Sequence, residues 1–597
     1  MPGKPYPFPE QLQTIHGRFE SVVVQFAAKQ AVSDGIRSLT YHELNIRANQ
    51  LAHQIIGVLG HGNENVALYQ PNTIEQIVTI LGIMKAGKTY VPLDTGFPDA
   101  RNREMIVDAG CRLLITDTAF FDRSKDFSGN VRVVDIGNSG NEWPQNNSET
   151  AVSKQDNAIL LYTSGSTGEP KGVIQTHENM VHFIKRMTAF VGILPDDRFA
   201  YYLSAGFSAH ALPLLGALLN GCGLHLYHEK EVNFLGFAQW FRDSRITASL
   251  IIPSFLRHLM DTLEPGNNFP DFRLLLLGGE TLYRSDVDKA RKYFGNHTVM
   301  VNILASTEAY LSRGFVMNHN TPLLHNLVPV GFAVDGIELI IKNENGLICK
   351  ENETGEIFLR SPYVTPGYWN KPELTSRDVT NETADSPERL LNTHDRGFMR
   401  DDGCVIHLGR NDTVVKMRGY RIDLAATENV LLGNPEVREA ACNIMTNNQE
   451  VEHLVAFVVQ SAGEGLDLSF LKAKTAKILP DYMVPTYFVV LDALPKNASG
   501  KMDRSSLPQP DWLMLEQRGE IVNATDETEQ KLVDIFEKAL NIKPIGVTEN
   551  LFSLGADSLR LFVAFNSIEK QLGVRLNVDQ LIAHPTIKEL ARNMHNT

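Results

Sequence analysis

The segment Leu160 to Val173, LLYTSGSTGEPKGV, sets three glycines, four Ser/Thr hydroxyls and Lys171 directly after an apolar run. Glycine lets backbone N–H groups converge on an anion, and hydroxyl hydrogens rotate to suit the acceptor they meet. A polyphosphate fits such a set of donors, with Lys171 as its cation. The spacing is neither the GxxxxGK[ST] of a Walker loop nor the GxGxxG of a dinucleotide fold, so a different phosphate grip is expected. A flexible connector would not need Lys171 and Thr167 at set spacing.

Such a loop must be held by a scaffold. From about Leu39 to Tyr310, short apolar runs (NVALY, TYVPL, RLLITD, FRLLLLGGE) alternate with amphipathic stretches and glycine turns. That alternation reads as an α/β layer architecture. From Gly331 the texture turns β-rich (GIELIIKN, TGEIFLRS), and a small α+β portion follows from about Val414 to Arg504. The stretch LPQPDW and the polar residues after it read as a linker up to Ala524. Beyond it, Leu532, Ile535, Phe536, Ala539 and Leu540 recur at helix spacing behind Thr525 and Asp526, either of which suits a helix cap. Further apolar-periodic runs begin at Leu559 and behind Thr586, giving a small all-α bundle. The expected division is a large multi-layer α/β subdomain over residues 1–411, a small α+β subdomain over 412–505, a linker over 506–524 and the bundle over 525–597.

The 597 residues carry 56 Lys and Arg against 70 Asp and Glu, a net charge of -14. This balance argues against an affinity built on neutralising nucleic acid backbones. Cys111, Cys222, Cys349, Cys404 and Cys442 are scattered and lack CxxC spacing, so buried reduced thiols are expected rather than a disulfide framework or a zinc site. The start, MPGKPYPFPE, has no apolar signal core, and the longest apolar stretch, near Ala211 to Leu219, is far short of a bilayer span. A cytoplasmic protein without a membrane partner is expected.

YTSGSTGEPKG is similar to the phosphate loop of acyl-adenylating enzymes, the superfamily of acyl-CoA ligases, luciferases and nonribosomal peptide synthetase adenylation domains. KAGKTYVPLD, LLLLGGETL, NILASTEA, NTHDRG, GRNDTVVKMRGYRID and LPDYMVPTYFVVLDALPKNASGKMDR resemble the family's other motifs, in its order. The resemblance implies that ATP and a carboxylic acid give an acyl-adenylate and pyrophosphate. Thr163, Ser164, Gly165, Ser166, Thr167, Gly168 and Lys171 would hold the phosphates. Glu308, with Thr167, would hold Mg²⁺, an ion that favours oxygen ligands. Gly279, Glu280, Ser306 and Thr307 fall in nucleotide motifs. Asp395 would accept from the ribose hydroxyls, with Arg410 nearby. Lys501 would reach both the substrate carboxylate and the α-phosphate. The small subdomain would rotate about a hinge at Asp412 between the two half-reactions, and Gly419 would line the thiol's path.

NLFSLGADSLRLF resembles the carrier-protein motif in which a serine at a helix start, here Ser558, bears phosphopantetheine; a helix N-terminus favours the phosphodiester. A phosphopantetheinyl transferase is then an implied partner, as is a downstream condensation or tailoring enzyme, since the chain shows no condensation or thioesterase motif. The chain also departs from the family. The usual Asp after Phe207, which pairs with an α-ammonium, is Ser208. The other matched pocket positions are Ala209, Leu212, Leu250, Leu276, Gly278, Ile303, Leu311 and Ser312. Burying an unpaired ammonium in so uncharged a pocket would cost several kcal/mol, so an acid lacking that group is expected. His210 is a further candidate for a polar substrate group. YGPTE is LASTE here, which puts Leu304 in place of an aromatic; TGD is THD, which puts His394 in place of glycine. Alternative readings are an acyl- or aryl-CoA ligase with a helical tail, a loader of hydrophobic amino acids with an unusual anchor, and a non-enzymatic carrier scaffold.

Overall fold

The computed structural model describes the chain except for residues 1–3, 10, 12, 139–141, 165–169, 228–233, 267, 382–385, 411–413, 418–419, 435, 448–450, 462–465, 496–501, 503, 513–521, 541–542, 550, 552–553, 555–557, 573, 575–584 and 596–597. Two compact units emerge. The first comprises residues 1–228, 240–440 and 461–484, and the second residues 229–239, 441–460 and 485–597. The segment expected as one small subdomain, 412–505, is therefore shared between them.

The first unit is built on two large sheets. The six-stranded one runs in the order Arg132–Asp135, Leu113–Thr116, Asn65–Tyr69, Thr89–Pro92, Asn157–Ser164 and Pro170–Thr176. Its neighbours pair in parallel except the last two, which form an antiparallel hairpin. The nine-stranded sheet has Leu274–Leu277 between Val299–Ser306 and Ala248–Ile251. Strands covered on both faces explain why LLLL lacks alternation: all four residues are buried. The helix Ile74–Lys85, capped by the Thr73 side chain on the Gln76 N–H, is buried at every residue but Glu75 and so shows no polar stripe. A five-stranded antiparallel sheet, in which Arg389–Met399 pairs with Gly355–Ser361, Val379–Asn381 and Val405–Arg410, accounts for the β-rich texture after Gly331.

In the second unit the strands Glu452–Gln460 and Tyr487–Val490 pair in parallel. Their core includes Val455, Phe457 and Val459, and also Leu507 and Trp512. The start of the expected linker is thus packed structure, held by an indole against His453 and Tyr487. The bundle's three described helices are Glu527–Leu540, Ser558–Leu572 and Ile587–His595. They close on Leu532, Phe536, Leu561, Ile568, Ile587 and Leu590. Asp526, rather than Thr525, caps the first by accepting from the Glu529 N–H at 2.8 Å, while the Glu529 carboxylate accepts from the Thr525 N–H and hydroxyl. The α/β architecture with a terminal helical bundle agrees with the sequence pattern.

All five cysteines are free, and Cys349 alone is only half-buried. Among the described residues no helix is long and apolar enough to cross a membrane, and no cluster of three or more His, Cys, Asp or Glu is poised for a metal.

Candidate active site

The hairpin Asn157–Ser164/Pro170–Thr176 delivers the loop that opened the sequence reading. Its register sets Thr163 opposite Lys171. Gly165, Ser166, Thr167 and Gly168 lie outside the described residues, as does the Ser164 side chain. Lys171 is 8% exposed, its Nζ 3.9 Å from Glu308 Oε1 and 4.6 Å from the centre of the Tyr368 ring. The cation thus keeps a carboxylate and an aromatic face when no ligand is bound. Thr163 Oγ1 is buried, has no hydrogen-bond partner among the described residues and belongs to a residue of the cavity wall. Leaving such a hydroxyl unpaired costs on the order of 1–3 kcal/mol, which a ligand oxygen would recover. An orphan hydroxyl beside a lysine and a carboxylate suits a phosphate with its divalent cation.

Glu308 sits at the turn joining the strands Val299–Ser306 and Tyr310–Met317. The turn is tight: Tyr310 adopts φ 51, and Ser306 Oγ accepts from the Ala309 N–H at 3.2 Å. Glu308 is 4% exposed, and its Oε1 accepts from the Tyr368 hydroxyl at 3.1 Å. The Tyr310 ring stacks on Phe183, and its buried hydroxyl has no partner among the described residues. Asp395, in Arg389–Met399, faces Arg410 across the ladder and lies 3.6 Å from His407 Nε2. The Arg410 side chain is outside the described residues. Gly279 has φ 90, a conformation that favours glycine. Glu280 differs from expectation: its carboxylate accepts from the Ser254 N–H and hydroxyl at 2.9 and 3.0 Å, tying it to the start of the helix Pro253–Asp261.

Between these groups lies a cavity of about 150 Å³. Of the expected pocket residues, Phe207, Ser208, Ala209, Leu212, Leu250, Gly278, Ile303 and Leu311 line it, together with Thr163, Gly279, Ser306, Thr307 and Asp395. Leu276 and Ser312 do not. Leu276 is fully buried in the central core, and the Ser312 hydroxyl donates to the Leu304 carbonyl at 3.0 Å. Ser208 Oγ accepts from Thr307 Oγ1 at 3.0 Å. His210 is not free to recruit substrate. Its Nδ1 lies 2.6 Å from the Phe207 carbonyl, which only accepts, so Nδ1 carries the hydrogen and Nε2 accepts from Tyr90 at 2.7 Å. Burial, which outweighs the bond to Phe207, lowers its pKa to about 4, so it is neutral at pH 7.

Several wall residues escaped the sequence reading. Phe97 and Phe207 meet edge to face, Tyr420 packs on Phe207 at 4.9 Å, and Tyr420 stacks on Tyr482 at 4.2 Å. Tyr420 and Tyr482 belong to MRGYR and LPDYMVP, so motif membership was the signal that could have found them. Arg101 also lines the cavity, 5% exposed, with no hydrogen-bond or ion-pair partner among the described residues. Burial lowers its pKa, an effect that Tyr482 and Glu104 oppose. Lys501, Gly419 and Asp412 lie outside the described residues. Ser558 is the first residue of a helix of 15 residues, and its side chain is likewise outside them.

A fold with a phosphate hairpin, a buried carboxylate at a strand turn and a separate helical bundle defines an ATP-using ligase joined to a carrier. The chain belongs to the AMP-binding enzyme family, matched over residues 19–369, with the AMP-binding enzyme C-terminal domain over 426–501 and a phosphopantetheine attachment site over 530–594. It is 31% identical over 585 residues to bacitracin synthase 3 of Bacillus licheniformis, covering 97% of this chain but 9% of that protein's length. The solved structure of a holo NRPS protein containing adenylation and PCP domains, bound to a vinylsulfonamide inhibitor, superposes with a TM-score of 0.80 at 23% identity, over 98% of this chain and 97% of that one. An o-succinylbenzoate CoA synthetase from Bacillus subtilis gives 0.73 at 22% identity, over 83% of this chain and 98% of that one. The chain spans only part of the length of the curated relatives it matches, and its three matched domains stand in the adenylation and carrier order of nonribosomal peptide synthetases.

Proposed function

We propose that this protein activates a carboxylic acid lacking an α-ammonium and loads it onto Ser558 of its own chain, as a loading module whose product a downstream condensation or tailoring enzyme takes up. The observation that carries the substrate reading is Ser208. It stands where an ammonium-binding carboxylate is usual, and its oxygen is engaged by Thr307. Among the described residues Asp395 is the one carboxylate in the cavity wall, and Arg101 adds a cation to it. An α-ammonium would meet apolar groups and a guanidinium, a combination that disfavours it by several kcal/mol. Aliphatic, hydroxy, keto and aromatic acids carry no such penalty.

In the first half-reaction the acid's carboxylate attacks the α-phosphorus of ATP and pyrophosphate leaves. Lys171 and the Thr163 hydroxyl would receive the phosphate oxygens, and Asp395 would orient the ribose. Glu308 would hold Mg²⁺, which supplies charge neutralisation of the phosphates when bound. Phosphopantetheine on Ser558 supplies the thiol for the second half-reaction, and tethering raises its effective concentration at the adenylate.

Pyrophosphate exchange tests the substrate reading with matched sets of acids that differ only in bearing an α-amino, α-hydroxy, α-keto or unsubstituted carbon. Exchange with the ammonium-free members is expected. Exchange confined to α-amino acids would sink it. Mass spectrometry of phosphopantetheinylated protein then reads loading: the acyl mass is expected on the wild-type chain and not on Ser558→Ala.

A further inference from the structure

The strand Arg389–Met399 is interrupted at the candidate ribose site. Glu356 and Phe358 pair with Arg396 and Asn392, so the strand holds extra residues between them, a bulge that contains His394 and Asp395. His394 has φ 59, a left-handed conformation that a residue with a Cβ adopts at a cost. The bulge is pinned on several sides. Asn392 Oδ1 accepts from the His394 N–H at 2.8 Å, and Thr393 Oγ1 donates to the Ile357 carbonyl at 2.6 Å while accepting from the Asp395 N–H at 3.1 Å. The imidazole lies between two carboxylates. Its Nε2 is 3.0 Å from Asp378 Oδ1, and its Nδ1 is 3.5 Å from Glu356 Oε1.

Asp378 continues the chain of contacts. It is 2% exposed and ends the helix Pro372–Asp378, where Arg377 binds both its oxygens at 2.7 and 2.9 Å. Burial would raise its pKa, yet the bonds from His394 and Arg377 overcome this and hold the carboxyl well below the usual range. The Tyr368 hydroxyl stands 3.5 Å from Asp378 Oδ2 and 3.1 Å from Glu308 Oε1. One phenol proton therefore serves two carboxylates, the second of them beside Lys171.

We propose that His394 is a positioning residue that links the Asp395 bulge, through Asp378 and Tyr368, to the Glu308 carboxylate, so that the ribose end and the triphosphate end of the nucleotide are gripped together. The proposal rests on the reading that Asp395 and Glu308 receive ATP with its metal. A glycine at this position would hold the same backbone without strain but would carry no link. The imidazole therefore offsets its conformational penalty by joining two halves of the site that the sheet topology leaves separate.

The test compares His394→Gly, His394→Asn and Tyr368→Phe with the wild-type chain in pyrophosphate exchange, reading KM for ATP, KM for the acid, and the Mg²⁺ concentration for half-maximal rate. His394→Gly is expected to raise KM for ATP and the Mg²⁺ requirement about tenfold, with KM for the acid unchanged. His394→Asn tolerates the left-handed backbone, but its amide nitrogen matches the imidazole Nδ1 and falls short of the Nε2 position that meets Asp378, so it should lose as much as His394→Gly. The double variant with Tyr368→Phe should lose no more than the worse single variant, because the two residues act in one chain. A KM for ATP within twofold of wild type in His394→Gly, full recovery in His394→Asn, or losses that multiply in the double variant would each overturn the proposal. Glu308→Gln and Asp395→Asn separate it from the reading beneath it. If these abolish exchange while His394→Gly is silent, the link alone falls; if they leave ATP use intact, the assignment of the nucleotide site falls.

Discussion

The two ends of the cavity treat polar groups in opposite ways. At the acyl end, Ser208 is engaged by Thr307, and the two other polar candidates, Ser312 and His210, lie behind the wall, bonded to the Leu304 carbonyl and to Tyr90 and the Phe207 carbonyl. At the phosphate end, Thr163 Oγ1 is buried with no partner among the described residues, and Lys171 sits beside Glu308. A satisfied wall selects by shape, whereas an unsatisfied one waits for a ligand's oxygens. On the proposed assignment, the difference teaches that the nucleotide would be fixed by chemistry and the acid by volume.

The largest effect should come from stripping charge at the phosphate end. Lys171→Ala or Glu308→Gln is expected to lower kcat/KM in pyrophosphate exchange roughly 100-fold to 1,000-fold, the range for losing one preorganised group at developing charge. KM for the acid should barely move, and a chelator should silence the wild-type chain. Equal damage to ATP and acid KM values would dissolve the contrast between the ends.

Ser208→Asp puts a carboxylate into the apolar end and sharpens the comparison. The new charge loses water without gaining a cation from ammonium-free acids, so exchange with them should fall by about 100-fold. Any gain should appear with the matching α-amino acid. Retained preference for the ammonium-free acid, with no loss, would show that Ser208 does not face the substrate.

Acid stability probes the satisfied end from another side. Buried His210, with its pKa lowered to about 4, binds a proton less readily folded than unfolded, where about 6.5 applies. The unfolded chain takes up the extra proton between those values, so this contribution is present above about pH 6.5 and lost as pH falls towards 4. Between pH 7 and pH 5 the single residue accounts for about 2 kcal/mol. His16 and His225 at about 4, and His177 and His182 at about 3, act in the same direction. Denaturant melts at the two pH values should show the loss for the wild-type chain and a smaller one for His210→Gln.

The contrast also marks what could be read beforehand. The layer architecture was legible because strands such as LLLL and helices such as TIEQIVTILGIMK declare burial by composition. Lys171 and Thr163 stood out as candidate phosphate ligands by residue type, and the hairpin register sets them opposite each other. Arg101 and Tyr482 did not, since an arginine and a tyrosine far apart in the chain have no local pattern that brings them to one wall, and nothing local marks Tyr420 as the ring stacked behind Tyr482. Trp512 was misread for a similar reason: a proline-bearing stretch looks like a linker until His453 and Tyr487 close on its indole. Leu276 and Ser312 were placed in the pocket by resemblance alone, and the first belongs to the core while the second bonds its own hairpin.

The finest adjustment is steric. A Cβ on Gly278 would stand 2.6 Å from Ile303 Cγ1 and 3.1 Å from the Ile303 carbonyl oxygen. Both residues line the acyl end, and φ at Gly278 lies outside the left-handed region, so Gly278→Ala adds volume without backbone strain. Ile303 must shift into the cavity to make room. KM for the bulkiest accepted acid should rise about tenfold, that for the smallest should hardly change, and KM for ATP should stay within twofold, as expected of a methyl added to a shape-selective pocket. Trimming the partner in Gly278→Ala/Ile303→Val should return part of the lost affinity, because the two side chains compete for one space. If the bulky acid is unaffected, the selecting wall lies elsewhere. If KM for ATP rises as much as KM for the acid, the two ends are one mechanical body and the division between volume and chemistry fails.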